Sequence, residues 1–412
     1  MTLEQVIIIA VKKPEQTEEG FHSSLEELIS LTKTAGGMVM QVITQNRTRI
    51  HPAFYMGEGK VAEIKEQMEA LDIDLVIAND ELSPGQLRNL GEQLGVRIID
   101  RSQLILDIFA QRAQTKEGKL QVELAQLQYM LPRLHGQGAQ LSRLGGGIGT
   151  RGPGETKLET DQRHIRRRIH DIKRRLALVV QQREQYRKRR KTNDVFQIAI
   201  VGYTNAGKST MFNRLTNSDS LEEDKLFATL DPLTRKITFP SGFSALITDT
   251  VGFLQELPTT LIASFRSTLE EVAEADFILH VVDGSHPDKE QHQQTVLKLL
   301  EDLQATSIPM LTVYNKKDQL TDEMIPMNHP YVMMSALDES DIEKLVLAIE
   351  QQLKVIWDNY IIELEPNEAD LLHRLGKETM IEKKYYDELS NKYHVSGFIR
   401  TDHPLQRILK EK

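Results

Sequence analysis

Short apolar runs alternate with amphipathic segments over residues 1–105. Strands are predicted where the apolar residues are continuous, and helices where they recur every three or four positions. The predicted strands span residues 6–11, 39–44, 75–78 and 96–99, and the predicted helices span residues 24–34, 60–71 and 84–94. The first helix is expected to have Ser23 or Ser24 as its cap. This alternation is typical of an α/β domain with a largely parallel sheet.

The apolar period becomes purely helical over residues 106–192. Leucines recur at steps of three and four from Leu120 to Leu134, and a similar row runs from Ile165 to Val179. Such spacing is a coiled-coil seam, so we expect two long helices packed as an antiparallel hairpin. Pro132 is expected to kink or end the first helix. The glycine-rich loop 143–157 between them contains six glycines, which excludes a helix there.

The remaining chain is divided into two further predicted domains. In residues 193–357, buried strands such as Gln197–Val201 and Phe277–Asp283 alternate with helical patterns. A doubly wound, mostly parallel sheet is expected there. Residues 358–412 are predicted to form a small α+β domain with a strand, a helix, two β-like runs and a final helix. The predicted fold class is therefore a multidomain α/β protein.

Composition excludes several classes of protein. The 412 residues include no cysteine, which rules out a disulfide framework, a thiolate metal site and a cysteine nucleophile. No stretch approaches the roughly 20 consecutive apolar residues that a membrane-spanning helix needs. We therefore expect a cytoplasmic protein without integral membrane contact, and we expect it to be a monomer.

The formal net charge of −9 conceals one strongly basic segment. Between Arg163 and Lys191 there are thirteen Lys/Arg residues and only two acids, Asp171 and Glu184. A charge run of this kind is commonly a solvated helix face, but so many like charges with so few acids would repel one another. We therefore favour contact with RNA, and no DNA partner is expected.

A complete phosphate-binding motif follows the strand 197–201. Gly202-Tyr203-Thr204-Asn205-Ala206-Gly207-Lys208-Ser209 has the form G-x-x-x-x-G-K-S and leads into a helix. The Lys208 ammonium is expected to bridge the β- and γ-phosphates, and the Ser209 hydroxyl is expected to bind Mg²⁺. The predicted nucleotide-binding residues of this loop are Gly202, Asn205, Ala206, Gly207, Lys208, Ser209 and Thr210.

Three further motifs follow strands in the order found in GTPases. Asp249-Thr250-Val251-Gly252 places an acid beside the metal and a glycine N–H near the γ-phosphate. In Asn315-Lys316-Lys317-Asp318, a buried Asp318 carboxylate would accept from N1–H and the 2-amino group of guanine, which adenine cannot match. A backbone N–H in Ser335-Ala336-Leu337 would meet guanine O6. The sequence therefore predicts GTP and GDP as ligands, bound by Asp249, Gly252, Asn315, Lys316, Asp318, Ser335, Ala336 and Leu337.

The residues that would complete hydrolysis are less well defined by the motifs. Many GTPases have a glutamine after the D-x-x-G glycine, whereas this chain has Phe253, so slow unassisted hydrolysis is expected. Thr229 and Thr234 are both candidates for the remaining Mg²⁺ ligand. Asn205 occupies a position where some GTPases with similar loops bind K⁺, although a loop hydrogen bond is the alternative role.

Four segments together resemble the HflX family of translational GTPases. They are Gly145–Glu159 (G-G-G-I-G-T-R-G-P-G-E-T-K-L-E), the phosphate loop, Phe227–Asp231 (F-A-T-L-D) and Asp249–Phe253 (D-T-V-G-F). The resemblance covers nearly the whole chain. It implies that Phe227 and Thr229 belong to the nucleotide site, that Thr229 is the switch threonine and a Mg²⁺ ligand, and that Lys208 and Thr229 are catalytic. It also implies binding to the large ribosomal subunit and its rRNA, and dissociation of stalled or idle ribosomes.

A second class of function is left open by the residues alone. The chain could be a signalling GTPase whose hairpin binds a protein partner. Binding to a protein would tolerate salt, whereas binding to RNA would weaken steeply as salt increases.

Overall fold

The computed structural model describes residues 3–134, 157–192, 195–217, 227, 231–254, 271–320 and 324–411. Most of the predicted glycine-rich loop, together with Thr229, lies outside the described residues. The chain divides into two compact units. The first contains Met1–Gln182, Asp224–Asp231 and Gln255–Ser267, and the second contains Arg183–Glu223, Pro232–Leu254 and Thr268–Lys412.

The first unit begins with a parallel four-stranded sheet of order β2-β1-β3-β4. Its strands are β1 (Glu4–Lys12), β2 (Gly37–Asn46), β3 (Leu75–Ala78) and β4 (Arg97–Asp100). The connecting helices are α1 (Glu18–Thr34), α2 (Glu58–Leu71) and α3 (Pro84–Leu94). Continuous burial of β1 and β3 explains why both read as unbroken apolar runs.

Helix α1 begins at Glu18, earlier than the prediction of Ser24. The Thr17 hydroxyl caps it by accepting a hydrogen bond from the Gly20 N–H at 3.1 Å. Glu18 and Glu19 occupy the first turn, where carboxylates are stabilised by the helix dipole. The prediction that Ser23 or Ser24 caps this helix is therefore wrong.

Three helices follow, and the first unit contains the first two of them and the third as far as Gln182. They are α4 (Arg101–Arg112), α5 (Lys116–Leu134) and α6 (Lys157–Thr192). Leu120, Leu124 and Ile172 form one buried cluster, against which Leu127, Ile169 and Leu176 pack. The two predicted apolar rows therefore meet. The predicted boundary after residue 105 falls inside α4, and Pro132 lies in the last turn of α5, two residues before Leu134.

The second unit contains a six-stranded sheet of order β10-β9-β8-β5-β7-β6. All its strand pairs are parallel except β6 with β7. The strands are β5 (Gln197–Gly202), β6 (Leu233–Thr238), β7 (Ser244–Asp249), β8 (Phe277–Asp283), β9 (Met310–Asn315) and β10 (Tyr331–Met333). The helices around it are α7 (Lys208–Thr216), α8 (Lys289–Asp302) and α9 (Glu339–Ile356).

An antiparallel three-stranded sheet of order β11-β13-β12 follows in the same unit. Its elements are β11 (Asp358–Leu364), α10 (Ala369–Glu378), β12 (Met380–Asp387), β13 (Lys392–Ile399) and α11 (Leu405–Glu411). Met380 of β12 and Trp357 belong to the core cluster of the six-stranded sheet. None of the described helices combines the length and the hydropathy that a membrane-spanning segment requires.

Candidate nucleotide-binding site

The phosphate loop joins the end of β5 to the start of α7. Gly207 has a φ of +90°, and a Cβ atom there would lie 2.1 Å from the Asn315 Nδ2. A Cβ atom on Gly202 would lie 2.2 Å from the backbone oxygen of Val281 in the neighbouring strand β8. Both glycines of the motif are thus required by close contacts, and the second also by its left-handed backbone.

Lys208 is almost completely buried at the start of α7. Its side chain is only 6% exposed, and its Nζ donates to the backbone oxygen of Tyr203 at 2.7 Å. Burial lowers the pKa of Lys208 to about 8, although the nearby Asp249 carboxylate opposes this change. The ammonium is therefore held inside the loop, where an anionic ligand would favour its charged form.

Ser209 and Asp249 bring a hydroxyl and a carboxylate together. The Ser209 Oγ donates to the Asp249 Oδ2 at 2.8 Å, and Asp249 is fully buried at the end of β7. Oxygen ligands of these two kinds are those that Mg²⁺ prefers. The pair fits a Mg²⁺ site. Thr234, the alternative candidate for the switch threonine, lies in β6, where its hydroxyl is 2.9 Å from the Thr248 hydroxyl.

Phe253 is joined to the phosphate loop through its backbone. Its N–H donates to the Gly202 oxygen at 3.2 Å, and its own oxygen accepts from the Thr204 N–H at 2.8 Å. The Phe253 side chain is 2% exposed. This aromatic ring packs within the protein and offers no polar atom to a water molecule.

The Asn315 side chain connects three of the predicted motifs. Its Nδ2 donates to the backbone oxygen of Ala206 in the phosphate loop at 2.9 Å. Its Oδ1 accepts from the Ala336 N–H at 2.8 Å. Because Asn315 ends β9, one buried amide fixes the phosphate loop and the segment after β10 against each other.

The two residues on either side of Lys317 differ in their surroundings. Lys316 has a left-handed backbone, with a φ of +61°, and its Nζ pairs with the Asp283 carboxylate at 2.7 Å. Burial opposes the ionisation of Asp283, but hydrogen bonds from Lys316 and Ser285 outweigh it and lower the pKa of this carboxyl. Asp318, in contrast, is exposed in the protein alone. Among the residues that the structure describes, no element covers Asp318, so a bound base would have to bury this carboxylate.

The backbone of the Ser335–Leu337 segment is largely engaged. The Ser335 N–H donates to the Asp341 Oδ2 at 3.0 Å, and the Ala336 N–H is taken by Asn315. The Leu337 N–H donates to the Ser335 Oγ at 3.3 Å, and Leu337 itself is 67% exposed. The sequence did not single out Asp341 or Asp283, since an acid near a helix start or a strand end has many ordinary roles.

Comparisons with known proteins show which family this chain belongs to. Residues 22–110 match the family described as "GTP-binding GTPase N-terminal", and residues 112–190 match its "GTP-binding GTPase Middle Region". Residues 197–316 match "50S ribosome-binding GTPase". A protein named GTPase HflX from Alkalihalophilus pseudofirmus is 54% identical over 411 residues, which are 100% of this chain and 97% of the relative. The chain belongs to the HflX family of GTPases.

Family membership makes this chain a GTP-hydrolysing enzyme that binds GTP and GDP. GTPase HflX from Escherichia coli is 43% identical, over 90% of this chain and 89% of the relative. A solved structure described as a complex of SsGBP and GDP is 25% identical, with a TM-score of 0.50, and the match covers 85% of this chain and 98% of that one. The multidomain α/β fold predicted from the sequence is confirmed.

In this HflX-family GTPase, the ends of the F-A-T-L-D segment are held by the first unit. Phe227 is 2% exposed, and its ring meets that of Phe109 edge to face, with 4.4 Å between the centroids. Asp231 accepts hydrogen bonds from the backbone N–H groups of Gln114 and Thr115 at 3.0 and 2.9 Å. The Phe227 ring is thus buried against an aromatic partner on α4, and its place in the nucleotide site stays a prediction.

Proposed function

We propose that this GTPase acts in the cytoplasm on the large ribosomal subunit, where it contacts rRNA and dissociates stalled or idle ribosomes. The observation that carries this proposal is the row of exposed cations on α6. Arg166, Arg167 and Arg175 are all exposed on this helix. An exposed cationic helix is suited to a polyanion, and the family description of residues 197–316 names the 50S ribosome.

Few acids on the described part of α6 compensate this charge. Arg168 pairs with Glu123 of α5, with its Nε 2.6 Å from the carboxylate, and Arg174 lies 3.6 Å from Asp171. The side chains of residues 187–190 lie outside the described residues. The cations on α6 are thus presented to solvent, and binding to phosphates would release the counterions that they otherwise hold.

In this proposal, the glycine-rich loop 143–157 makes a second kind of contact with rRNA, which does not depend on charge. It contains few charges, so its contribution would come from backbone that enters a narrow RNA cavity where larger side chains would clash. Replacing Gly146, Gly147 and Gly149 with alanine should reduce ribosome affinity while leaving its salt dependence nearly unchanged.

The proposed hydrolytic chemistry rests on the buried groups of the phosphate loop. Lys208 would bind the β- and γ-phosphates, and Ser209, Asp249 and Thr229 would hold Mg²⁺ directly or through water. When bound, Mg²⁺ neutralises charge that develops on the phosphate oxygens. Asn205 is exposed on the loop and could act as a K⁺ ligand, which would supply further positive charge.

Guanine recognition is assigned to Asp318. Its carboxylate would accept from N1–H and the 2-amino group, so Asp318→Asn should weaken GDP binding and favour xanthosine diphosphate, whose C2 oxygen needs a donor. Competition binding with GDP, ADP and xanthosine diphosphate measures this. If each of the three nucleotides displaced bound nucleotide from the variant and from the parent equally well, Asp318 would be ruled out as the base-reading residue.

Co-sedimentation with 50S particles in the presence of a GTP analogue or GDP tests the ribosomal role. The triple variant Arg166→Gln, Arg167→Gln and Arg175→Gln should bind more weakly. Its salt dependence should flatten by up to about one log–log unit for each phosphate group that it no longer neutralises. A triple variant with the same charge change on exposed lysines of the second unit, at Lys236, Lys383 and Lys384, is the matched control.

The alternative is a signalling GTPase whose hairpin binds a protein. This alternative would be favoured if the arginine variant and the glycine variant both sedimented with 50S particles as the parent does. Splitting itself is measured by incubating 70S ribosomes with the protein and GTP and separating the subunits on a gradient. Intact 70S ribosomes after incubation would refute the dissociation role while leaving the GTPase identification unchanged.

A further inference from the structure

Asp341 is a buried carboxylate just after the start of α9. It is 1% exposed, and it accepts hydrogen bonds from Ser335, Lys317 and Lys344. Its Oδ2 accepts from the Ser335 N–H at 3.0 Å and lies 2.5 Å from the Lys317 Nζ. Its Oδ1 lies 3.0 Å from the Lys344 Nζ. A buried charge is tolerated when it is paired and hydrogen-bonded in this way.

The surroundings keep this carboxylate ionised. Burial opposes ionisation, but the hydrogen bonds from Lys317 and Ser335 outweigh it and lower the pKa of Asp341 to about 2. The first turn of α9 also favours a negative charge. Asp341 is therefore a fixed anion, and its partners are held by charge-assisted hydrogen bonds, which are stronger than neutral ones.

The two main partners of Asp341 belong to the two segments assigned to base recognition. Lys317 lies directly between Lys316 and Asp318 in the turn after β9, whereas Ser335 opens the segment after β10. The Lys317 backbone N–H also donates to the Met334 oxygen at 3.1 Å. Side chain and backbone together join these two segments next to the residues that would meet the base.

We propose that Lys317 and Asp341 are positioning residues for guanine recognition. Asp341 holds the Ser335 segment, and Lys317 ties the Asp318 turn to it, so that the Asp318 carboxylate is held in a fixed position toward the N1 and C2 donors of guanine. This inference rests on the proposed reading of the base by Asp318. Neither residue touches the nucleotide in this proposal.

Lys344 provides a matched control. It pairs with the same carboxylate as Lys317, but it lies within α9, and its side chain is 65% exposed compared with 38% for Lys317. Lys317→Met and Lys344→Met therefore remove the same charge and the same kind of ion pair. Only the first change removes the side-chain link between the Asp318 turn and the Ser335 segment, while the backbone bond from Lys317 to Met334 remains.

The test compares GDP with inosine diphosphate, which lacks the 2-amino group. Loss of a partly exposed ion pair is expected to weaken GDP binding by about fivefold in Lys317→Met. The affinity for inosine diphosphate should change less, so that discrimination between the two nucleotides falls. Lys344→Met should retain the parent's discrimination, and Lys317→Arg, which keeps the ion pair, should restore it. Thermal unfolding identifies any variant that is merely unfolded.

Two outcomes would overturn the inference. One is an equal loss of GDP and inosine diphosphate affinity in Lys317→Met, which would mean a general structural role. The other is an equal effect of Lys317→Met and Lys344→Met. Asp318→Asn, measured in parallel, separates this failure from failure of the base-recognition proposal. If Asp318→Asn leaves nucleotide preference unchanged, both proposals fall; if it changes preference while Lys317→Met does not, only the present inference falls.

Discussion

Burial of the Lys208 ammonium predicts that nucleotide affinity depends on pH. The pKa of this group is lowered to about 8 in the protein alone. Phosphate oxygens beside the ammonium favour its charged form and raise its pKa. The nucleotide therefore binds the protonated protein better, and affinity is lost as the pH rises through about 8. The linkage relation gives a loss of about sevenfold between pH 7 and about pH 8.8.

Fluorescent GDP titrations at several pH values measure the affinity, and calorimetry in buffers of different ionisation enthalpy measures proton uptake. Binding at about pH 8.5 should take up about three quarters of a proton. Lys208→Arg is the control, because a guanidinium does not deprotonate in this range. Titration of the nucleotide itself affects parent and control alike. Equal affinity at both ends of the range, without proton uptake, would refute the reasoning.

Three further predictions concern other groups of the second unit. With Phe253 buried in place of a water-orienting side chain, turnover should be slow alone and rise strongly with 50S particles; fast unstimulated turnover would contradict this. If Asn205 binds K⁺, turnover should be faster in KCl than in NaCl at equal ionic strength. Identical rates would instead favour its alternative role, a hydrogen bond within the loop. Burial, and to a smaller extent the charge of Lys208, lowers the pKa of His280 from 6.5 to about 4. Because the unfolded chain then binds a proton at higher pH than the folded protein does, about 3 kcal/mol of stability should be lost as the pH falls from 6.5 through 4. Denaturant unfolding of His280→Leu should show a smaller acid loss than the parent; an unchanged loss would contradict the assignment.

The phosphate loop could be predicted because its glycines, Lys208 and Ser209 follow one another at a fixed spacing directly after a strand. A Cβ atom on Gly202 would lie 2.2 Å from the Val281 oxygen, and one on Gly207 would lie 2.1 Å from the Asn315 amide nitrogen. Only glycine therefore fits at these two positions, and the motif records this requirement together with the spacing of Lys208. Hydrophobic periodicity likewise predicted the helix–helix contact between the rows that contain Leu124 and Ile172, because burial selects one face of each helix.

Long-range polar pairings could not be predicted in this way. Asp341 and Lys317 are far apart in sequence, and neither has a motif that selects its partner. The family resemblance gave Phe227 a place in the nucleotide site, but nothing in the sequence indicated that its ring packs against Phe109. The start of α1 was missed since the Thr17 cap precedes the apolar periodicity.

The hold on Asp231 has a thermodynamic consequence. Besides its two backbone donors, this carboxylate accepts from the Thr115 hydroxyl at 2.5 Å, and Thr115 in turn accepts from the Gly118 N–H at 2.9 Å as α5 begins. Withdrawing the Phe227–Asp231 segment would remove these hydrogen bonds and expose the Phe227 ring, which costs on the order of several kcal/mol. By reciprocity, any ligand that draws the segment away must weaken the start of α5 by the same coupling free energy, and any partner that stabilises the start of α5 must oppose that ligand equally.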